Sequence, residues 1–241
     1  MGCCETRDQS KYQNSYKSAS GALKIVNKLR TEALNLSINY LNRDKNIDIW
    51  DKALYAHGIP QKDMKKLTET EHFSIDIFES SKYSSDFPII KISFTLDNYV
   101  RLITIINAIT TYENRHKWDS AIKLMENYID DPEKTRIIHS VFEYSLYKPE
   151  FYEECVISLF HNSVLIGFQS SNMDFEYSPG AVACITYFSL YFIKEKEGKT
   201  YMTVYLHTDP KTSLVLISKN VVTQKLTFWC ENLTRYLENT R

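Results

Sequence analysis

The first residues of the chain have the types and spacing for lipid attachment. Met1-Gly2-Cys3-Cys4-Glu5-Thr6 fits the pattern M-G-x-x-x-[ST], in which loss of Met1 exposes Gly2 as an acceptor for myristate. One myristoyl chain binds membranes only marginally, with an association constant of about 10⁴ M⁻¹, so stable attachment takes a second signal. Basic charge does not supply it, because Arg7, Lys11 and Lys17 are offset by Glu5 and Asp8. Cys3 and Cys4 do, as palmitate acceptors directly beside the first lipid. The expectation is a lipid-anchored chain at the cytoplasmic face of a membrane. Residues 1–20 are polar and rich in Ser, Lys and Asn, and read as a flexible tether. They contain no apolar h-region, so they are not a secretory signal.

The other chemistry-bearing residues form no catalytic pattern. The six histidines are scattered, and none has a neighbour at metal-ligand spacing. His207 and Asp209 stand close together, but in a strand-to-helix turn they read as loop residues and a cap. There is no Gly-rich phosphate loop and no G-x-S-x-G elbow. There is no C-x-x-C pair either; Cys155, Cys184 and Cys230 sit in apolar runs and read as buried free thiols of a reducing compartment. No metal, no cofactor and no catalytic residue is expected.

Composition narrows the class further. With 241 residues, 43% hydrophobic and 24% charged, the chain suits one soluble domain, here 21–241 behind the tether. A net charge of −1 lacks the basic footprint of a nucleic-acid binder. No run of eighteen apolar residues is present to span a membrane. The 17 Tyr and 12 Phe favour a large sheet.

Hydrophobic periodicity then gives the elements. A first helix is expected over 21–41. The stretch from Trp50 to Leu67 is harder to read, with a turn at Gly58-Ile59-Pro60 and a solvated Lys-rich piece near Lys65. Alternation predicts strands at Phe73–Ile77 and Pro88–Leu96. Asp97 is expected to cap a helix over Asn98–Thr110, with a short helix or turn to Asp119. Strands follow at 121–128, 135–144, 154–161, 164–170, 182–194 and 200–208. A long amphipathic helix closes the chain from Leu214 to Leu237, with Ile217, Val221, Phe228, Trp229, Tyr236 and Leu237 near one stripe. Strands in runs, not alternating with helices, predict α+β with an antiparallel sheet.

Several segments in this order resemble the START family, the lipid-transfer domains related to the steroidogenic acute regulatory protein. Arg115-His116-Lys117-Trp118-Asp119 is similar to the family's R-x-x-W-D. Lys148-Pro149-Glu150-Phe151 takes the place of its R-D-F-V. Val164 to Ser171 resembles the strand ending in a serine pair, and Thr208-Asp209-Pro210-Lys211-Thr212-Ser213-Leu214 is similar to D-P-K-G-S-L-P. Thr212 stands where the family usually has Gly, and Ala183 falls near a position where many members carry Arg.

The resemblance implies a helix-grip fold: a curved antiparallel sheet wrapped around a long C-terminal helix over a lipid-sized tunnel. Leu159, Ile166, Phe168, Thr186, Phe188, Tyr205, Val221 and Phe228 are the expected lipid-binding side chains, and Leu146 and Tyr147 the expected lid. Arg115 and Asp119 are expected to pair with each other or to fix the helix end, with Trp118 anchoring that helix. The implied function is lipid binding, transfer or sensing by a monomer, its partner a phospholipid or a sterol. Two alternatives stand beside it: a non-transferring membrane-anchored adaptor, and a helix-grip hydrolase or cyclase.

Overall fold

The computed structural model describes residues 46–79, 81–84, 86–129, 136–144, 147–160, 162–211 and 219–240. The expected helix over 21–41 lies outside them. Helix α1 (Asn46–His57) comes first, then β1 (Lys65–Glu69), β2 (Phe73–Phe78) and β3 (Ile89–Leu96). Two short helices follow, α2 (Leu102–Thr110) and α3 (Tyr112–Arg115). The remaining strands are β4 (Ile122–Ile129), β5 (Arg136–Phe142), β6 (Pro149–Phe160), β7 (Ser163–Ser170), β8 (Val182–Ala183), β9 (Ile185–Lys196) and β10 (Lys199–Asp209). Helix α4 (Lys219–Asn239) closes the described chain.

The strands make one curved sheet in the order β1-β2-β3-β10-β9-β7-β6-β5-β4, with β8 beside the start of β6. All pairings are antiparallel except the two-residue β6–β8 pair. This is the helix-grip architecture of the α+β expectation.

Each face of the sheet has its own apolar cluster. On the concave face Ile75, Ile92, Ile166 and Val204 meet Ile105 and Ile109 of α2 and Cys230, Leu233 and Leu237 of α4. On the convex face α1 lays Ile49, Ala53 and Ala56 over Leu165, Phe188 and Leu190. That helix left little trace in the sequence, since two of the three buried positions among its described side chains are alanine. Its close seat depends on Gly167: a Cβ there would stand 2.7 Å from Ile49 Cγ2.

Four boundaries differ from expectation, each for a local reason. Strand β6 begins at Pro149, not Glu154, because proline is tolerated at the first residue of a strand. The Lys-rich piece at Lys65 is the edge strand β1, where exposed lysines discourage further pairing. Asp97 caps nothing: it pairs with Lys199 at 3.0 Å, and α2 starts after Arg101 with no side-chain cap. The strand expected from Val182 to Lys194 is split at Cys184 into β8 and β9. The expected β9–β10 turn is present, with Glu197 at φ 54° and Gly198 at φ 75°. Two positive φ angles are what a two-residue type I′ hairpin needs.

Candidate functional site

Strand register decides which side chains enter the space under α4. Phe168 pairs with Ser189, Ile166 with Tyr191, and Val204 with Tyr191, so all five point to the concave face. Across from them α4 presents a stripe at Leu226, Cys230, Leu233 and Leu237, spaced four, three and four residues apart. A cavity of about 700 Å³ remains between helix and sheet. Met125, Ser140, Phe168 and Thr186 line its depth; Leu226, Trp229 and Asn232 of α4 roof it. The corner after α3 forms its end wall with Arg115, Trp118 and Asp119.

That wall is a folded-in ion pair. Nε and Nη2 of Arg115 both lie 3.0 Å from Asp119 Oδ2, and both side chains are buried. Burial opposes the guanidinium charge, but Asp119 and the hydroxyl of Tyr191 outweigh it and raise the Arg115 pKa. Trp118 donates from Nε1 to the Ala108 carbonyl at 3.0 Å, and its ring lies 4.5 Å from the guanidinium carbon. Trp229 of α4 meets Trp118 edge to face at 5.3 Å, which joins the wall to the roof.

The wall also carries Glu153, from β6. Burial raises its pKa above the usual glutamate value, against the opposing pull of a Thr186 hydrogen bond and the Arg115 charge. At the mouth the side chains are exposed: Phe228 is 58% accessible although it lines the cavity. Tyr144 bridges to Tyr147 through paired backbone hydrogen bonds of 3.0 and 3.3 Å, and their rings stack at 5.3 Å. Lys225 of α4 stands 4.8 Å above the Tyr144 ring, closing that side.

The expected lipid-binding residues separate. Phe168, Thr186 and Phe228 line the cavity. Ile166 shares their face but is fully packed in the core. Leu159 has the same parity yet sits at the far end of β6, 38% exposed. Phe188 and Tyr205 are corrections, since both belong to the convex cluster under α1. The cause for Phe188 is a bulge: Phe188 pairs with His207 and Thr186 with Thr208, so the parity of β9 flips between them. Tyr205 pairs with Leu190 and follows that residue to the convex side. Val221 is in α4, with its side chain outside the described set. Tyr147 does not line the cavity but stacks on Tyr144, which does; Leu146, Gly2, Cys3 and Cys4 lie outside the described residues.

Glu153, Ser189 and Tyr191 were missed. Glu153 lies just before the expected strand 154–161, so the expectation gives it no parity. Arg115 and Asp119 were read as a structural pair, which they are, but their position also makes them cavity wall. Among the described residues no three His, Cys, Asp or Glu side chains stand close enough to hold a metal.

A curved antiparallel sheet closing on a C-terminal helix over a guest-sized cavity defines a helix-grip protein. The chain has the START form of that fold. It is similar to human StAR-related lipid transfer protein 5, with a TM-score of 0.69 and 15% identity over 80% of this chain and 95% of that one. It is similar to the lipid transfer and protein localization domain of human StarD13, with a TM-score of 0.62 and 16% identity over 83% and 99%. A third likeness is to a STAR-related lipid transfer protein from Xanthomonas axonopodis, with a TM-score of 0.60 and 8% identity over 73% and 99%. No family model and no curated protein matches the chain.

Proposed function

We propose that this protein binds a lipid under α4 and exchanges or senses it at the cytoplasmic face of a membrane, without catalysis. The observation that carries the reading is the 700 Å³ space between α4 and the sheet, apolar over most of its wall and open at Phe228. Pockets for organic ligands span about 300–1,000 Å³ and are mostly apolar with a few placed polar groups. Burial of apolar surface gives about 25 cal/mol per Å², enough to hold an extracted lipid with no covalent step. Three solved structures of this fold carry names of lipid-transfer proteins or domains, which supports the same reading.

Acylation of Gly2, Cys3 and Cys4 would keep the cavity beside a bilayer. A permanently anchored carrier suits local exchange or sensing better than long-range shuttling. Native mass spectrometry of the protein purified from cells tests the binding: a co-purifying lipid mass is expected. No lipid mass, together with no uptake from labelled vesicles, leaves the adaptor reading in its place. The anchor has a separate test. Gly2→Ala is expected to move the protein to the soluble fraction; retention on membranes refutes acylation as the anchor.

A further inference from the structure

The charges of the cavity wall carry information about the guest. Among the described lining residues there are two cations, Arg115 and Lys225, and three carboxyls, Asp119, Glu143 and Glu153. Arg115 is committed to its own wall: Nε and Nη2 face Asp119, and Nη1 reaches the Ile109 carbonyl at 3.5 Å. At the mouth Lys225 rests on the Tyr144 ring, and Glu143 lies 3.9 Å from Lys123. The carboxyl left over inside is Glu153, with the Thr186 hydroxyl beside it and Ser189 on the neighbouring wall. Among the described residues the inner wall therefore has no spare cation for an anionic head group, and it has an acid to oppose one.

Size sets the second limit. A volume of about 700 Å³ holds roughly two dozen non-hydrogen groups at about 30 Å³ each. A single acyl chain or a fused-ring skeleton fits in that space.

Resting on the lipid-binding reading above, we propose that Glu153 makes the cavity selective for an uncharged lipid alcohol over an anionic lipid of the same skeleton. A hydroxyl both donates and accepts, so it satisfies Glu153 whether the acid is protonated or ionised. A sulfate, phosphate or carboxylate guest only accepts, and meets repulsion once Glu153 ionises. The groups facing Glu153 are Arg115, Thr186 and the thiols Cys155 and Cys184, with Asp119 and Tyr191 behind Arg115. Burial pushes both thiols up to about 12, so neither titrates between pH 5 and 8. The charge that opposes an anionic guest on this wall is thus assigned to Glu153.

Four probes separate skeleton from charge: oleyl alcohol, oleyl sulfate, cholesterol and cholesterol sulfate, bound to the full-length protein. Whichever skeleton fits, the alcohol is expected to bind at least about tenfold tighter than its sulfate ester near pH 8, a gap of about 1.4 kcal/mol. The gap is expected to narrow as the pH falls through the range where Glu153 protonates, which burial places above that of an ordinary glutamate, because the sulfate charge is fixed. Glu153→Gln is expected to lower the alcohol-to-sulfate ratio by about tenfold and to remove its pH dependence. A wild-type preference for the sulfate overturns the proposal even if the variant does not fold. A ratio unchanged in folded Glu153→Gln overturns it as well. If none of the four probes binds the wild type, lipid binding itself is refuted and the selectivity with it.

Discussion

Arg115 and Asp119 meet one helical turn apart, the guanidinium laying two nitrogens at 3.0 Å on a single carboxylate oxygen. The other oxygen, Oδ1, accepts the backbone N–H of Ala121 at 3.3 Å and so fixes the chain as it enters β4. One pair therefore sets the end wall of the cavity and the start of a strand. Removing Asp119 would leave a buried guanidinium without its counter-charge, whereas Arg115→Met removes the buried charge itself, keeps the apolar stem and leaves Asp119 its hydrogen bond from Ala121. Asp119→Ala is expected to cost about 3–5 kcal/mol, and Arg115→Met clearly less. Urea denaturation of both variants measures this, and equal losses would count against the asymmetry.

His207 is a second buried group with a measurable signature. Its Nε2 donates to the Phe87 carbonyl at 3.1 Å and Nδ1 accepts from the Ser81 hydroxyl at 3.3 Å, so the neutral ring is satisfied at both ends. Burial lowers its pKa to about 4, against the opposing effect of the Phe87 bond. Between pH 4 and 6.5 the unfolded chain binds a proton here that the native protein does not. Stability from this group is full above pH 6.5 and falls as the pH drops towards 4, by roughly 3 kcal/mol in all. His207→Gln is expected to flatten that part of the pH–stability curve; an unchanged slope would assign it elsewhere.

Most of the fold was legible because its signals are local. Period-two alternation marks Phe73–Ile77 and Ile90–Leu96, and a Glu-Gly turn marks the β9–β10 hairpin. What failed needed non-local facts. The parity of β9 depends on a bulge opposite His207 and Thr208, so Phe188 was assigned to the wrong face. The buried stripe of α4 centres on Cys230 and Leu233, not on the large Phe228, because the cavity mouth leaves room for an exposed aromatic. Glu153 is invisible for a simpler reason: it falls just before the expected strand 154–161, while the strand in fact opens at Pro149.

Gly167 shows how one missing side chain permits a contact between layers. In an open strand Gly→Ala is favourable by up to about 1 kcal/mol. Here the added methyl meets Ile49 Cγ2 at 2.7 Å and Leu190 Cδ2 at 3.4 Å, and Ile49 is β-branched and fully packed. Gly167→Ala is expected to destabilise by about 1–3 kcal/mol by pushing α1 off the sheet. Combining it with Ile49→Ala should recover part of that loss, since the clash would be gone. A double-mutant cycle that is simply additive would refute the contact as the cause.

Lys225 and Tyr144 couple α4 to the segment at the cavity mouth, with the ammonium 4.8 Å from the ring centre. Both groups line the cavity, and Tyr144 is tied to Tyr147, the described half of the expected lid. A partly exposed cation–π contact is worth about 0.5–1 kcal/mol. If opening this seam limits guest exchange, its loss lowers the barrier by that amount, which is about a two- to fivefold faster rate. Lys225→Met keeps most of the aliphatic stem that covers the mouth, so it removes the charge more than the packing. Stopped-flow transfer of a fluorescent lipid from vesicles should therefore speed up two- to fivefold in Lys225→Met, with thermal stability shifted by less than about 1 kcal/mol. An unchanged rate would place the opening elsewhere along α4, away from the Tyr144–Tyr147 bridge.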